Sequence, residues 1–317
     1  MNIPVLYIVV PCYNEEEILC STIEKLQKLL TCMIEEKKVA DTSRLLFVND
    51  GSSDSTWNII SRKHTENNSF VCGINLAGNV GHQNALFAGV MCAKENADMS
   101  ISIDADLQDD INVIPEMVSR YMNGDDIVYG VRRQRNTDTW FKRNTALMFY
   151  KLMKALGVKS VYNHADYRLM SKRAMCQLEK YSECNLFLRG IVPLLGYKSS
   201  SVYYDRSARL AGESKYPLRK MLNFAIDGIT SFSIKPLRLL TIAGFIFVLV
   251  SISVSIWALV VLLRHETVQG WTSLIISMWF IGGVLLVGMG IVGEYIGKMY
   301  MEVKGRPRYN VDTVLIK

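Results

Sequence analysis

Between residues 239 and 293 the chain carries two long stretches almost free of charge, and no other feature constrains its architecture as strongly. Residues 239–263 are 25 positions without a charged side chain, and residues 271–293 are equally uncharged. At about 1.5 Å per helical residue the first stretch reaches roughly 37 Å, enough to cross a hydrocarbon core of about 30 Å with some tilt. A buried helix of a soluble protein can be this apolar, but two in succession predict a pair of membrane-spanning helices. Arg264, His265 and Glu266 lie between them, Lys235 and Arg238 precede them, and Lys298, Lys304, Arg306 and Arg308 follow. The positive-inside rule then predicts a multi-pass protein of the cell membrane with both termini in the cytoplasm.

Two local patterns extend this reading. Gly282, Gly283, Gly288, Gly290, Gly293 and Gly297 thin the second stretch, which suits close helix contact within the hairpin or self-association between copies. Ahead of the first stretch, Leu218, Leu222, Ala225, Ile229 and Phe232 recur at steps of four and three, with Arg219 and Lys220 off the stripe. That pattern predicts an amphipathic helix lying along a membrane surface. The expected organisation is therefore a cytoplasmic domain over 1–212, a juxtamembrane helix over 213–236, a transmembrane hairpin over 237–298 and a tail over 299–317.

The formal net charge is +6, gathered at Arg132, Arg133, Arg135, Lys142 and Arg143, at residues 206–220 and at residues 298–308. The last two groups flank the apolar stretches, which points to anionic lipid and phosphate. Aromatic residues do not interleave with a basic run and no recognition motif is present, so nucleic acid is not an expected partner. The 7 cysteines show no metal-ligand spacing and read as reduced thiols.

In the first 130 residues short apolar runs alternate with helical stretches. Residues 5–10, 45–48, 70–74, 99–103 and 127–129 read as strands buried on both faces, and residues 16–38, 55–66, 82–95 and 113–122 as helices. Such alternation predicts an α/β fold with a mostly parallel sheet, whose ligands bind beyond the carboxyl ends of the strands. Polar clusters follow the strands there: Pro11-Cys12-Tyr13-Asn14-Glu15-Glu16, Asn49-Asp50-Gly51-Ser52-Ser53-Asp54 and Asp104-Ala105-Asp106-Leu107-Gln108-Asp109. Any one of them could be turn and helix-cap chemistry. Three at one edge of a sheet predict a site.

Asp104 and Asp106 carry the clearest chemistry. Two carboxylates one residue apart repel each other unless a cation lies between them, and such hard oxygen ligands suit Mg²⁺ or Mn²⁺ with diphosphate oxygens completing the shell. A metal held there would neutralise charge on a departing nucleoside diphosphate. His82 and His164 have no third His or Cys at zinc-like spacing and read as ordinary polar histidines.

Together these three clusters resemble glycosyltransferase family 2, whose fold is the GT-A nucleotide-sugar-binding sheet. Gly293-Glu294-Tyr295-Ile296-Gly297-Lys298 and the following Glu302, Lys304, Arg306, Pro307 and Tyr309, behind two apolar stretches, are similar to bacterial polyisoprenyl-phosphate glycosyltransferases. Those include bactoprenol glucosyltransferases, with dolichol-phosphate mannose synthase a relative. The resemblance implies that Pro11, Tyr13, Asn14, Glu15, Asp50, Asp104, Ala105 and Arg132 hold the nucleotide-sugar. It also implies that Asp104, Asp106 and Gln108 hold the metal, with Asp106 catalytic. Asp166, in His164-Ala165-Asp166-Tyr167-Arg168-Leu169, matches an acidic position near the donor sugar and is the second catalytic residue. Arg209, Ser214 and Lys215 match a loop near the phosphates. Relatives often carry a small residue where His164 and Ala165 stand, so the pocket should differ in shape there.

The implied reaction is inverting transfer of a hexose, glucose from UDP-glucose first, onto undecaprenyl phosphate. A lipid monophosphate has a second pKa near ~6 and is already nucleophilic at neutral pH, so a general base is less needed than for a hydroxyl acceptor. Asp166 is then expected to orient substrate, with proton removal secondary. A processive polysaccharide synthase would carry a Gln-x-x-Arg-Trp motif and more spans, and neither is present. GDP-mannose transfer and a non-catalytic lipid-binding membrane protein are the alternatives.

Overall fold

The apolar runs near the N-terminus form strands because each is buried on both faces, and the amphipathic stretches between them form the covering helices. The computed structural model describes residues 3–67, 70–133, 164–183, 186–205 and 270–316, with 237, 239–244, 246, 249, 250, 252, 253, 256 and 257. In chain order the elements are β1 (Leu6–Cys12), α1 (Glu16–Glu35), β2 (Arg44–Asn49), α2 (Thr56–Glu66), β3 (Val71–Leu76), α3 (His82–Asn96), β4 (Met99–Ser102) and α4 (Ile114–Met122). β5 (Ile127–Arg132), β6 (His164–Ser171), α5 (Lys172–Glu179), α6 (Leu188–Ile191), β7 (Ser199–Tyr204), α7 (Trp271–Lys304) and β8 (Val311–Leu315) follow.

Each expected strand and helix of the first 130 residues is present. The shifts are local: β1 continues through Pro11 and Cys12, which are buried strand residues rather than loop, and α1 stops at Glu35. Helix α1 forms because Leu19, Ile23, Leu26, Leu30 and Met33 recur every three or four positions and are buried against the sheet. Glu16 and Glu17 in its first turn oppose the positive end of the helix dipole.

The described residues form one sheet in the order β7-β5-β6-β4-β1-β2-β3-β8. β1 pairs in parallel with β2 and β4, β2 with β3, and β5 with β7. Two strands run the other way. β6 lies antiparallel between β4 and β5, and β8 runs antiparallel to β3 at the edge. The reversal of β6 has a direct consequence for chemistry. Its register sets Ser102 opposite Arg168, so Asp166, two residues earlier, stands beside the carboxyl end of β4.

β8 comes from the stretch expected as a tail. It is fastened by Asn75 Nδ2 donating to Asp312 Oδ2 at 3.0 Å and by the Ala77 amide donating to the Asn310 carbonyl at 2.9 Å. The Arg308 guanidinium donates to the carbonyls of Tyr181 and Glu183 and lies 4.6 Å from the centre of the Phe87 ring. The chain after α7 is thus part of the sheet domain.

The described residues fall into two compact units, one built on this sheet and including Arg306 onward, the other ending at Gly305. In the second, α7 has 34 residues and ends at Gly305 in the left-handed conformation. Its segment Phe280–Lys304, which holds an 18-residue window of mean hydropathy 1.7, is the one described helix long and apolar enough to cross a membrane. The described residues between 237 and 257 are helical and mostly exposed. Arg209, Ser214, Lys215, the whole of the expected juxtamembrane helix and the 264–266 turn lie outside the described residues.

Candidate active site

The loops at the carboxyl ends of the parallel strands are tied to each other before any ligand is considered. Asn14 adopts φ 55°, a conformation that asparagine tolerates better than most residues. Its amide donates to Ser52 Oγ at 3.0 Å and its Oδ1 accepts from the Ser53 amide at 2.9 Å. The Glu15 amide donates to Thr56 Oγ1 at 2.9 Å, and Glu16 Oε2 accepts from the Ser55 amide at 2.9 Å. The first two polar clusters therefore cap each other's helices. The turn-and-cap chemistry set against a ligand role is present, and it builds the rim on which Tyr13 stands exposed.

Asp50 is buried, and its two oxygens accept from the Val80 and Gly81 amides at 2.7 and 3.0 Å. Burial raises its pKa above the ordinary carboxylate value, against the pull of those amides and of His82. Asp50 thus fixes the entrance to α3, and each oxygen keeps a lone pair for a ligand. Gly51 next to it, at φ 61°, admits no side chain, since a Cβ would come within 2.5 Å of the Asn79 nitrogen.

The third cluster hangs from β4. Thr22 Oγ1 of α1 donates to the Ala105 carbonyl at 2.7 Å, and Leu107 takes φ 44° to turn the chain. Asp106 Oδ1 accepts from the Gln108 amide at 3.3 Å. Gln108 and Asp109 are buried, and Asp109 is paired with Arg132 at 3.0 Å. Arg132, expected to bind the donor, also lies 3.3 Å from the Tyr204 hydroxyl. That pairing braces the loop from β5.

Asp166 is nearly enclosed by donors. Arg168 Nη2 lies 2.6 Å from its Oδ1, Arg189 Nη2 3.0 Å from Oδ2, and Gln83 Nε2 donates to Oδ2 at 3.0 Å. Burial alone would raise its pKa, but Arg189 and Arg168, then His82, outweigh it and hold the carboxyl well below the usual range. A carboxylate so held does not take up a proton near neutrality. The geometry favours orientation over base catalysis.

His82, the first residue of α3, joins the two carboxylates: its Nε2 is 3.6 Å from Asp104 Oδ1 and 3.7 Å from Asp166 Oδ2. Asp104 is pushed above the ordinary range by lost hydration, opposed by His82 and reinforced by Asp166, Asp109 and Asp106. Its side chain still keeps 41% exposure, so a ligand can reach it. Asp109 and Asp166 have arginine partners, whereas the ion-pair contact of Asp104 among the described residues is with His82. Among the described residues no three His, Cys, Asp or Glu side chains form a self-sufficient metal cage.

The sequence reading missed His82, Gln83, Arg168 and Arg189 as site residues. For Arg168 a signal existed, a charge inside the apolar run Tyr167-Arg168-Leu169. For His82 the signal was its position directly after Gly81, at the start of a helix that follows a strand.

The glycosyl transferase family 2 model matches residues 7–178, which run from β1 through the whole of β6 and nearly all of α5. The uncharacterized glycosyltransferase YkoT of Bacillus subtilis is 55% identical over 98% of this chain and 92% of its own length. YkcC of the same organism, also an uncharacterized glycosyltransferase, is 40% identical over 96% of this chain and 92% of its own. The SfII prophage-derived bactoprenol glucosyl transferase of Shigella flexneri is 38% identical over 95% of this chain and 96% of its own. Among solved structures, mannosyl-3-phosphoglycerate synthase from Rubrobacter xylanophilus is 15% identical with a TM-score of 0.48, over 76% of this chain and 75% of its own. With the family model spanning more than half of its length and full-length likeness to named glycosyltransferases, the chain belongs to glycosyl transferase family 2 and is a glycosyltransferase.

Proposed function

We propose that this glycosyltransferase moves a hexose from a nucleotide-sugar, glucose from UDP-glucose first, onto a polyisoprenyl phosphate such as undecaprenyl phosphate. The transfer would occur at the cytoplasmic face of the cell membrane. The observation that carries the reading is the presence in one chain of the Asp104–His82–Asp166 cluster and of a 34-residue helix with an open apolar surface. The relative named as a bactoprenol glucosyl transferase supports it, because the likeness covers 95% of the chain. A two-helix anchor built from residues 237–298 belongs to the same proposal, as does self-association through its glycines.

In the proposed reaction a phosphate oxygen of the lipid attacks the anomeric carbon while the bond from that carbon to the diphosphate oxygen breaks, with inversion. The acceptor is already anionic, so no side chain need remove a proton. Tyr13, Asn14, Glu15 and Asp50 hold the nucleoside end of the donor, and Asp166 with its arginines orients the sugar. Asp104 and Asp106, with Gln108, suit Mg²⁺ or Mn²⁺, because all three offer hard oxygen donors; a metal would supply charge neutralisation at the diphosphate. Arg209, Ser214 and Lys215 are proposed to meet the lipid phosphate.

Membranes containing the expressed protein, undecaprenyl phosphate, Mn²⁺ or Mg²⁺ and radiolabelled nucleotide-sugars test this. Label should enter the lipid phase from one donor and disappear on chelation. Asp106→Asn should lower turnover by a factor of roughly 10² or more, the scale of losing a directly acting charge-stabilising group. Turnover above a tenth of wild type in that variant would sink the metal assignment. No transfer from any donor, in folded protein, would sink the acceptor assignment.

A further inference from the structure

Gln83 makes contacts that the proposed chemistry does not use. Its Nε2 donates to Asp166 Oδ2 at 3.0 Å, while its Oε1 accepts from the Leu188 amide at 3.2 Å. The other backbone group of Leu188 is held too, since Arg168 Nη1 donates to its carbonyl at 3.2 Å. Arg168 Nη2 returns to Asp166 Oδ1. Asp166, Gln83, Leu188 and Arg168 therefore close a ring of hydrogen bonds. Arg189, the next residue of α6, is delivered by that ring to both oxygens of Asp166.

The ring has a specific mechanical need. Helix α6 has 4 residues, too few for its own hydrogen bonds to fix it. Its N-cap, Phe187, supplies no side-chain cap. A free Leu188 amide at that end would be one of the unpaired donors of a helix start. A primary amide presents a donor and an acceptor from one planar group, so glutamine can hold the carboxylate with one end and the helix start with the other.

We propose that Gln83 is a positioning residue for the sugar-transfer step, aligning Asp166 and Arg189 with each other by bridging α3, β6 and the start of α6. This goes beyond the acceptor and donor assignments above and rests on them only for the choice of assay. His82, the preceding residue on α3, faces Asp104 and Asp166, so the same first turn of α3 touches both carboxylates. The loops holding the nucleoside end, residues 13–15 and 50–55, do not contact Gln83 among the hydrogen bonds described. Its loss should therefore disturb alignment of the sugar and leave donor capture largely intact.

The test compares Gln83→Met, which keeps volume and removes both hydrogen bonds, with Gln83→Glu, which keeps the acceptor for Leu188 and replaces the donor by a carboxylate. In the membrane assay, Gln83→Met should lower kcat by one to two orders of magnitude, the scale expected for misaligned groups. Its KM for the nucleotide-sugar should stay within about threefold, since uniform binding is untouched. Gln83→Glu keeps the acceptor for Leu188 but loses the donor to Asp166, so it should be impaired in kcat like Gln83→Met, again with KM within about threefold. A merely structural glutamine would not give that split of kcat from KM. Hydrogen exchange supplies a readout that needs no turnover: the Leu188 amide should exchange faster in Gln83→Met while the amides of β1 and β4 stay protected. Wild-type kcat in Gln83→Met, wild-type kcat in Gln83→Glu, or unchanged exchange at Leu188 would each overturn the inference. An inactive wild type would instead count against the proposed acceptor, and the exchange measurement would still decide the role of Gln83.

Discussion

Gly89 and Gly283 are both glycines in the middle of helices, yet their surroundings have little in common. A Cβ at Gly89 in α3 would come within 2.4 Å of Val9 Cγ1 and 2.7 Å of Val48 Cγ2, whereas one at Gly283 in α7 would meet nothing within 4 Å. The same contrast holds across the two regions. The sheet domain buries Leu6, Ile8, Phe47, Leu45, Ile101 and their neighbours almost completely, while α7 leaves Leu285, Leu286, Val287 and Met289 at 63–71% exposure. Apolar surface on that scale is not stable in water. The sheet domain carries its own interior, whereas α7, on the proposed reading, lies in the apolar surrounding of a membrane.

The sharpest way to separate the two is to remove residues 306–317. This deletes β8, its ladder on β3 and the Arg308 contacts with Tyr181, Glu183 and Phe87, while leaving α7 intact. β3 becomes an exposed edge and Phe87 loses its cover. The loss should approach the whole stability of the domain, on the order of 5 kcal/mol or more. Limited proteolysis of membranes should then degrade the sheet domain while α7 stays membrane-bound. A truncated protein that resists protease and keeps turnover would show the two regions to be independent and break the comparison.

A smaller effect concerns charge, which the sheet domain buries and α7 mostly avoids. Asp166→Asn leaves Arg168, 1% exposed, without its carboxylate, and removing one partner of a buried pair costs about 3–5 kcal/mol. The pH dependence has a definite sign. Because the folded-state pKa of Asp166 is depressed, its contribution is present above the unfolded value of about 4 and is lost as pH falls through the folded value. Denaturant midpoints of wild type and Asp166→Asn should therefore differ at pH 5–8 and converge only in strong acid. Equal stabilities at pH 7 would mean that the arginines find other partners.

How much of this was legible in the sequence follows the same division. The strands β1 and β2 announce themselves because Leu6, Ile8, Val9, Val10, Leu45, Leu46 and Val48 dominate them, as expected of strands buried on both faces. β6 does not, since His164-Ala165-Asp166-Tyr167-Arg168 carries two charges that are tolerable in a sheet only because they satisfy each other. Asp166 was found through family resemblance, and its partners Gln83 and Arg189 sit 83 and 23 residues away, a separation that no local pattern encodes. β7 opens with three serines and β8 is five residues that read as a tail. Both are edge strands, where one side of the backbone needs no protein partner and the apolar signal fades. Arg132 is placed with the nucleotide-sugar through family resemblance. Its pairing with Asp109 depends on strand order, which charge patterning does not contain.

The finest version of the comparison is a series of three alanine substitutions. In a helix, Gly→Ala gains up to about 1 kcal/mol of propensity, so each outcome is that gain minus the local clash. At Gly89 the clash is with β-branched side chains of two central strands, which cannot swing away, and overpacking of this kind costs about 1–3 kcal/mol. The net effect should be destabilising, read as a lower denaturant midpoint of the sheet domain. At Gly288 the new methyl would lie 3.2 Å from Leu240 Cδ1, the far end of a flexible side chain, so gain and clash should nearly cancel. At Gly283 no described residue lies within 4 Å of the added methyl. Gly283→Ala should leave thermal stability in detergent unchanged or slightly higher, within about 0.5 kcal/mol. A marked loss there, larger than at Gly288, would mean that the glycine face of α7 is covered by a second copy. The open surface that distinguishes α7 from the sheet domain would then be closed in the membrane by another protein chain rather than by lipid.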